Sequence, residues 1–148
     1  MLIVLEGCDG TGKTTLAQML SQVLHADILH CTTLTPNTFE FFEEIIQASR
    51  ERNIIADRFC YGQFVYQDGD DRNLTLEQLY SLEIQMLAAG AKVIHVTASE
   101  SSIRQRLERR NEITTKPIRH IISGFKAIFK MSLMSITEYD TSAMEEED

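Results

Sequence analysis

Eight consecutive residues, Gly7-Cys8-Asp9-Gly10-Thr11-Gly12-Lys13-Thr14, follow the spacing G-x-x-x-x-G-K-[ST]. The chemistry this spacing permits is phosphate binding. A glycine-rich loop can turn backbone N–H groups inward on an anion, Lys13 can reach β- and γ-oxygens, and the Thr14 hydroxyl can ligate Mg²⁺. Asp9, Gly10, Thr11, Gly12, Lys13, Thr14 and Thr15 are thus the candidate ATP-binding residues. A second group is Asn53-Ile54-Ile55-Ala56-Asp57-Arg58, an apolar run ending in an acid and an arginine. Asp57 can support Mg²⁺ as a Walker B acid does, and Arg58 offers a planar fork for bidentate capture of a phosphate. A third is the crowd Arg104, Arg106, Arg109 and Arg110, followed by the polar stretch Asn111 to Thr115. Phosphoryl transfer leaves the protein mainly positioning and electrostatic work, which arginines on a mobile flap suit. Arg106 and Arg110, four apart on one helix face, are the candidates for the transferring phosphate.

Elements must hold these groups together. Five apolar or β-rich runs, Leu2 to Glu6, Asp27 to Cys31, Ile54 to Asp57, Lys92 to Thr97 and Ile136 to Asp140, alternate with helical patterns. This predicts an α/β fold: a five-stranded parallel sheet with helices on both faces, a three-layer sandwich. After the loop, Leu16, Met19, Leu20, Val23 and Leu24 recur at helical spacing and predict one apolar face. Further helices are predicted over Phe39 to Ile46 behind Thr38, over Thr75 to Ala89 with apolar residues round much of its circumference, over Ser99 to Arg110, and from Pro117 onward. In such a sheet ligands bind beyond the carboxyl ends of the strands.

The loop from Glu6 to Thr15 resembles that of thymidylate kinases, and Asp57-Arg58-Phe59 is similar to that family's Asp-Arg-aromatic element. Val65-Tyr66-Gln67 resembles the Ala-Tyr-Gln that follows it, and the segment from Arg104 to Arg110 resembles the lid. The resemblance implies a P-loop kinase fold, ATP and Mg²⁺, and a homodimer packed through helices. It places Asp9 near the substrate deoxyribose, Arg58 on the acceptor phosphate, Tyr66 against the 2′ position, Gln67 near the base and Asp140-Thr141-Ser142 near the adenine. Gly10 stands where some members carry a loop arginine, so a lid arginine is expected to supply that charge. The segment His30 to Asn37 departs from the family, lacking its Glu-Pro element and the long helical region that contacts the base. The short carboxyl end suits a small, phage-type member.

With 148 residues and 43% hydrophobic content, the chain suits one domain, residues 1–148, with a short lid around 106–116. No apolar run reaches the length of a membrane span and the start lacks a signal peptide, so a cytoplasmic protein is expected. Cys8, Cys31 and Cys60 read as free thiols, and His25, His30, His95 and His120 show no metal spacing. His95 reads as a hydrogen-bonded core residue. A net charge of −8 argues against a nucleic-acid partner. The acidic run Glu145 to Asp148 reads as a solvated end.

The expected activity is transfer of the γ-phosphoryl of ATP to a deoxynucleoside monophosphate, dTMP or dUMP foremost. Such an acceptor is ionised near neutral pH, with a second pKa of about 6, and needs no general base. One alternative is a deoxynucleoside kinase, which needs a base near the end of the second strand; Asp27 sits at the wrong end of it, and Asp9 is the residue that could serve instead. Another is a nucleotide-dependent switch or binding module.

Overall fold

The computed structural model describes residues 1–67, 72–114 and 116–143; the acidic run 145–148 lies outside them. Five strands, β1 (Leu2–Glu6), β2 (Asp27–His30), β3 (Ile54–Asp57), β4 (Lys92–Thr97) and β5 (Ile136–Asp140), form one sheet in the order β2-β3-β1-β4-β5. All four pairings are parallel. The predicted sheet is therefore present, β2 ending one residue early at His30.

Alternation along β1 divides the core. Leu2 and Val4 face one way and Ile3 and Leu5 the other, so each strand serves two layers. The first layer holds α2 (Phe39–Ala48), α4 (Leu76–Ala88), α5 (Glu100–Arg109) and α6 (Ile118–Lys130), which contribute Phe42, Leu82, Ile103 and Phe125 to one cluster. The second cluster takes its helical residues from α1 (Lys13–Leu24) alone, through Leu16, Ala17, Leu20 and Leu24. Among the described residues between β3 and α4 are a 3-10 turn, Cys60–Gly62, and the short α3, Gln63–Tyr66. These two were not foreseen, because neither is long enough to show a periodic pattern.

The helix starts follow their caps. Thr38 accepts from Phe41 N, Ser99 from Ser102 N, and Thr75 forms a reciprocal capping box with Gln78. Two expected faces are narrower than their sequences suggested. On α1, Met19 and Val23 are exposed, at 50% and 75%. On α4, Leu79, Leu82 and Met86 are buried while Ile84 and Leu87 face outward. A helix packed on one side only can bury only that side, whatever its composition. His95 is buried as expected, packed against Phe125 and Phe129 with its Nδ1 3.7 Å from Glu138 Oε1.

Candidate active site

The site forms where β1, β2 and β3 end. Gly7 follows β1 so closely against β4 that any Cβ would run into the Val96 carbonyl oxygen. Gly12 precedes α1 with φ 90°, a conformation that side chains disfavour, and no side chain caps the helix. The first amides of α1 are thus left for an anion, with the helix dipole behind them. Lys13 is 6% exposed and its Nζ donates to the Gly7 and Cys8 carbonyls at 2.8 and 3.1 Å. Burial pushes its pKa down, opposed by the charges of Asp57 and Glu6. Asp9, Gly10, Gly12, Lys13, Thr14, Thr15 and Arg110 line a cavity of about 60 Å³ over the loop. Thr11 sits beneath it, its hydroxyl donating to the Cys8 carbonyl at 2.7 Å.

A second cavity, of about 110 Å³, adjoins the first and is lined by Asp9, Lys13, Thr14, His30, Cys31, Thr32, Asp57 and Arg58. The Thr14 hydroxyl donates to Asp57 Oδ2 at 3.0 Å. That hydroxyl and carboxylate are hard oxygen donors of the kind that would suit Mg²⁺. Among the described residues no cluster of three or more His, Cys, Asp or Glu could hold a metal by itself. Phosphate oxygens and water would have to complete the shell.

Parallel pairing of β2 with β3 sets His30 beside Asp57, and His30 Nδ1 lies 3.2 Å from Asp57 Oδ2. Sequence reasoning missed this residue as part of the site. The available signal was its place as the last residue of β2, level with the last residue of β3.

Arg58 has φ 70° and donates to Asp9, which also lies 3.8 Å from Lys13 Nζ. Its guanidinium carbon is 5.8 Å from the centroid of the Tyr66 ring. The Tyr66 hydroxyl and Gln67 Oε1 are buried without hydrogen-bond partners among the described residues. Desolvation pushes the Tyr66 pKa above that of an ordinary phenol, keeping the hydroxyl protonated. Loop, Asp57, Arg58 and Tyr66, distant in sequence, are thus brought together.

The arginines separate. Arg104 pairs with Glu100 on the exposed face of α5, while Arg110 lines the loop cavity. Arg106, grouped in sequence with Arg110, is 5% exposed and turned to the back of the loop. It donates to Gly10 O at 3.1 Å, Thr141 Oγ1 at 2.9 Å and Thr141 O at 2.6 Å. The Thr141 hydroxyl in turn donates to the Thr11 carbonyl. Arg106 therefore ties the phosphate loop to the exit of β5. Replacing it with alanine strands three acceptors, so Arg106→Ala should lower the unfolding free energy by on the order of 2 kcal/mol. Urea titrations of Arg106→Ala, Thr141→Val and the double variant should give a coupling of about 1 kcal/mol or more. Additive losses would show that the two side chains act separately.

Glu6 closes the site from below. It is 1% exposed, its Oε2 accepts from Gly62 N at 3.0 Å and its Oε1 has no partner among the described residues. Burial raises its pKa from 4.5 to about 7, against the lowering effects of the Gly62 amide and Lys13. A raised carboxyl pKa favours folding fully only below pH 4.5, and that contribution is lost as pH rises through 7. The shift corresponds to about 3 kcal/mol. Glu6→Gln, neutral throughout, should gain up to that amount on the wild type between pH 5 and pH 8 in chemical denaturation. Parallel pH profiles for the two proteins would refute the assignment.

Comparison with known proteins adds a lineage. No protein-family model matches the chain. It is 31% identical over 147 residues to the SPbeta prophage-derived protein YorR of Bacillus subtilis, covering 95% of this chain and 88% of YorR. It is also 25% identical to the thymidylate kinase of Campylobacter hominis, across 96% of this chain and 92% of that enzyme. The chain belongs to the thymidylate kinase-like family of P-loop kinases. The crystal structure of YorR in complex with phosphorylated GDP superposes with a TM-score of 0.81, covering 95% of this kinase and 86% of YorR. Deoxyadenosine kinase from M. mycoides, 17% identical, shares the fold of the kinase with a TM-score of 0.59 over 99% of this chain and 92% of its own. As a kinase of nucleotides or nucleosides, the protein is a phosphotransferase. No described helix is long and apolar enough to cross a membrane.

Proposed function

We propose that this kinase transfers the γ-phosphoryl of ATP to a deoxynucleoside monophosphate, dTMP or dUMP foremost, giving the diphosphate. The observation that carries the reading is the convergence of Arg58 and Lys13 on one cavity beside the phosphate loop. Two cations there suit an acceptor that brings its own negative charge. A neutral nucleoside hydroxyl would instead need a proton acceptor, and it brings no phosphate to draw Arg58 and Lys13 away from Asp9.

In this reading Gly10, Thr11, Gly12 and Thr15 shape the loop and Lys13 neutralises β- and γ-oxygens. Thr14 and Asp57 would hold Mg²⁺, which would offset the charge of the nucleotide phosphates. Arg58 fixes the acceptor phosphate by its planar fork, and Asp9, released from that pair, reaches the deoxyribose. Tyr66 and Gln67 face the sugar and base, and their unpartnered polar atoms are groups that a polar ligand would satisfy. Arg110, in the loop cavity, supplies charge to the transferring group from the 106–116 lid. A single domain, a cytoplasmic location and a homodimer packed through helices belong to the same proposal.

The test is a coupled assay of ATP with every deoxynucleoside and ribonucleoside monophosphate, guanine nucleotides included because YorR was crystallised with phosphorylated GDP. Turnover of at least one pyrimidine deoxynucleotide above the no-enzyme rate is expected. Turnover of free thymidine but of no monophosphate would replace the reading with a nucleoside kinase. Tight GTP binding with no transfer to any acceptor would replace it with a switch.

A further inference from the structure

Arg58 stands in a backbone conformation that the rest of the chain must impose. Its φ of 70° crowds Cβ against the main chain, which no arginine adopts without support. The support comes from the end of β1 on both sides of the residue. The Arg58 N–H donates to the Leu5 carbonyl at 2.9 Å. Four residues after it, the Gly62 amide donates to Glu6 Oε2 at 3.0 Å. Leu5 and Glu6 thus grip the chain before and after the turn that aims the guanidinium at Asp9.

For the fold alone, Glu6 is a poor choice. The position is 1% exposed, and Oε1 finds no donor among the described residues. A buried carboxylate with an unsatisfied oxygen costs stability that an apolar side chain of the same volume would not. The turn it holds carries Arg58 at one end and runs into α3, with Tyr66, at the other. No comparable link runs from this carboxylate to the groups on the ATP side beyond its charge, which acts on Lys13.

We propose that Glu6 is a positioning residue for the acceptor half of the site, holding the 58–62 turn so that Arg58 keeps its left-handed backbone and its aim. This inference rests on the monophosphate-kinase reading above. Loss of the grip lets Arg58 relax to an ordinary φ and swings its guanidinium off the acceptor phosphate. ATP binding, built on the loop and α1, is left in place.

Three variants of the full chain separate this role from simple stability. Glu6→Met keeps the volume and removes the acceptor, Glu6→Asp withdraws the carboxylate by one methylene, and Glu6→Gln keeps an oxygen for the Gly62 N–H. Dissociation constants are measured by calorimetry for dTMP, dUMP, dCMP, dAMP and dGMP, and separately for the ATP analogue AMP-PNP with Mg²⁺. The expected result is a rise of about tenfold or more in the monophosphate constant for Glu6→Met and Glu6→Asp, corresponding to one bidentate contact misplaced. The AMP-PNP constant stays within about threefold, and Glu6→Gln restores most of the monophosphate affinity. Should Glu6→Met not fold, Glu6→Asp against Glu6→Gln carries the same comparison. Equal weakening of both ligands, or unchanged monophosphate binding, overturns the inference alone. A wild-type protein that binds AMP-PNP but none of the five monophosphates overturns the monophosphate-kinase reading and this inference with it.

Discussion

Replacing Lys13 with methionine should cut phosphoryl transfer by a factor of about a thousand while leaving the fold intact. The ammonium is 6% exposed and held against the Gly7 and Cys8 carbonyls, so it enters the site already desolvated and aimed. Removing one preorganised donor from a developing negative charge typically costs on the order of 10²–10³ in rate. In the proposed role Lys13 also sets a full charge against the β- and γ-oxygens, which places the expected loss at the upper end. Methionine fills the space of the stem without the charge. The fold loses little, because the desolvation cost of the ammonium disappears with its interactions. Measurement is direct: ADP release at saturating substrates, with a urea titration of the same preparation. Residual activity above about a tenth of the wild type would show that the loop amides and Mg²⁺ alone neutralise the transferring group.

Arg58→Ala is expected to act on the other substrate. A bidentate guanidinium–phosphate contact contributes about 1.5–3 kcal/mol, so KM for the acceptor should rise by roughly 10- to 100-fold. KM for ATP should change by less than about threefold. Arg58→Lys tests geometry against charge: a point charge on a flexible stem cannot reproduce the fork, so the variant should recover only part of the loss. Arg58→Gly relieves the backbone at φ 70° and should be more stable than Arg58→Ala. If all three raise KM for ATP and acceptor equally, Arg58 maintains the loop as a whole and does not select the acceptor.

The parts of this site that were legible in the sequence are those whose function forces a local pattern. The loop needs glycine where a Cβ would meet Val96, and lysine and threonine at the helix start. The five strands were legible because apolar runs between helical periods have few other uses in a chain of this size. What stayed hidden depends on register and on contacts between distant segments. His30 meets Asp57 only because β2 pairs with β3 in one particular register, and nothing in His30-Cys31-Thr32 announces it. Arg106 and Arg110 look equivalent on a helical wheel, yet the exit of β5 claims one while the loop cavity takes the other. Met19, Val23, Ile84 and Leu87 fit apolar stripes and still face outward. Periodicity reports which way a residue points, not whether a neighbour is waiting there.

Helix α1, which among the described residues packs alone in the second cluster, bears on how the kinase breathes. The leading amides of α1 carry no side-chain cap, and the helix is anchored through Leu16, Ala17, Leu20 and Leu24 without a second helix in its cluster among the described residues. Such a segment opens at lower free energy than the strands beneath it, exchanging its amide protons ahead of the core. A bound nucleotide recognises only the closed helix and adds its binding energy to the closing equilibrium. Ligand occupancy in this molecule is therefore written most strongly in the exchange lifetimes of residues 13–24, making that helix the natural reporter for which nucleotides the protein takes.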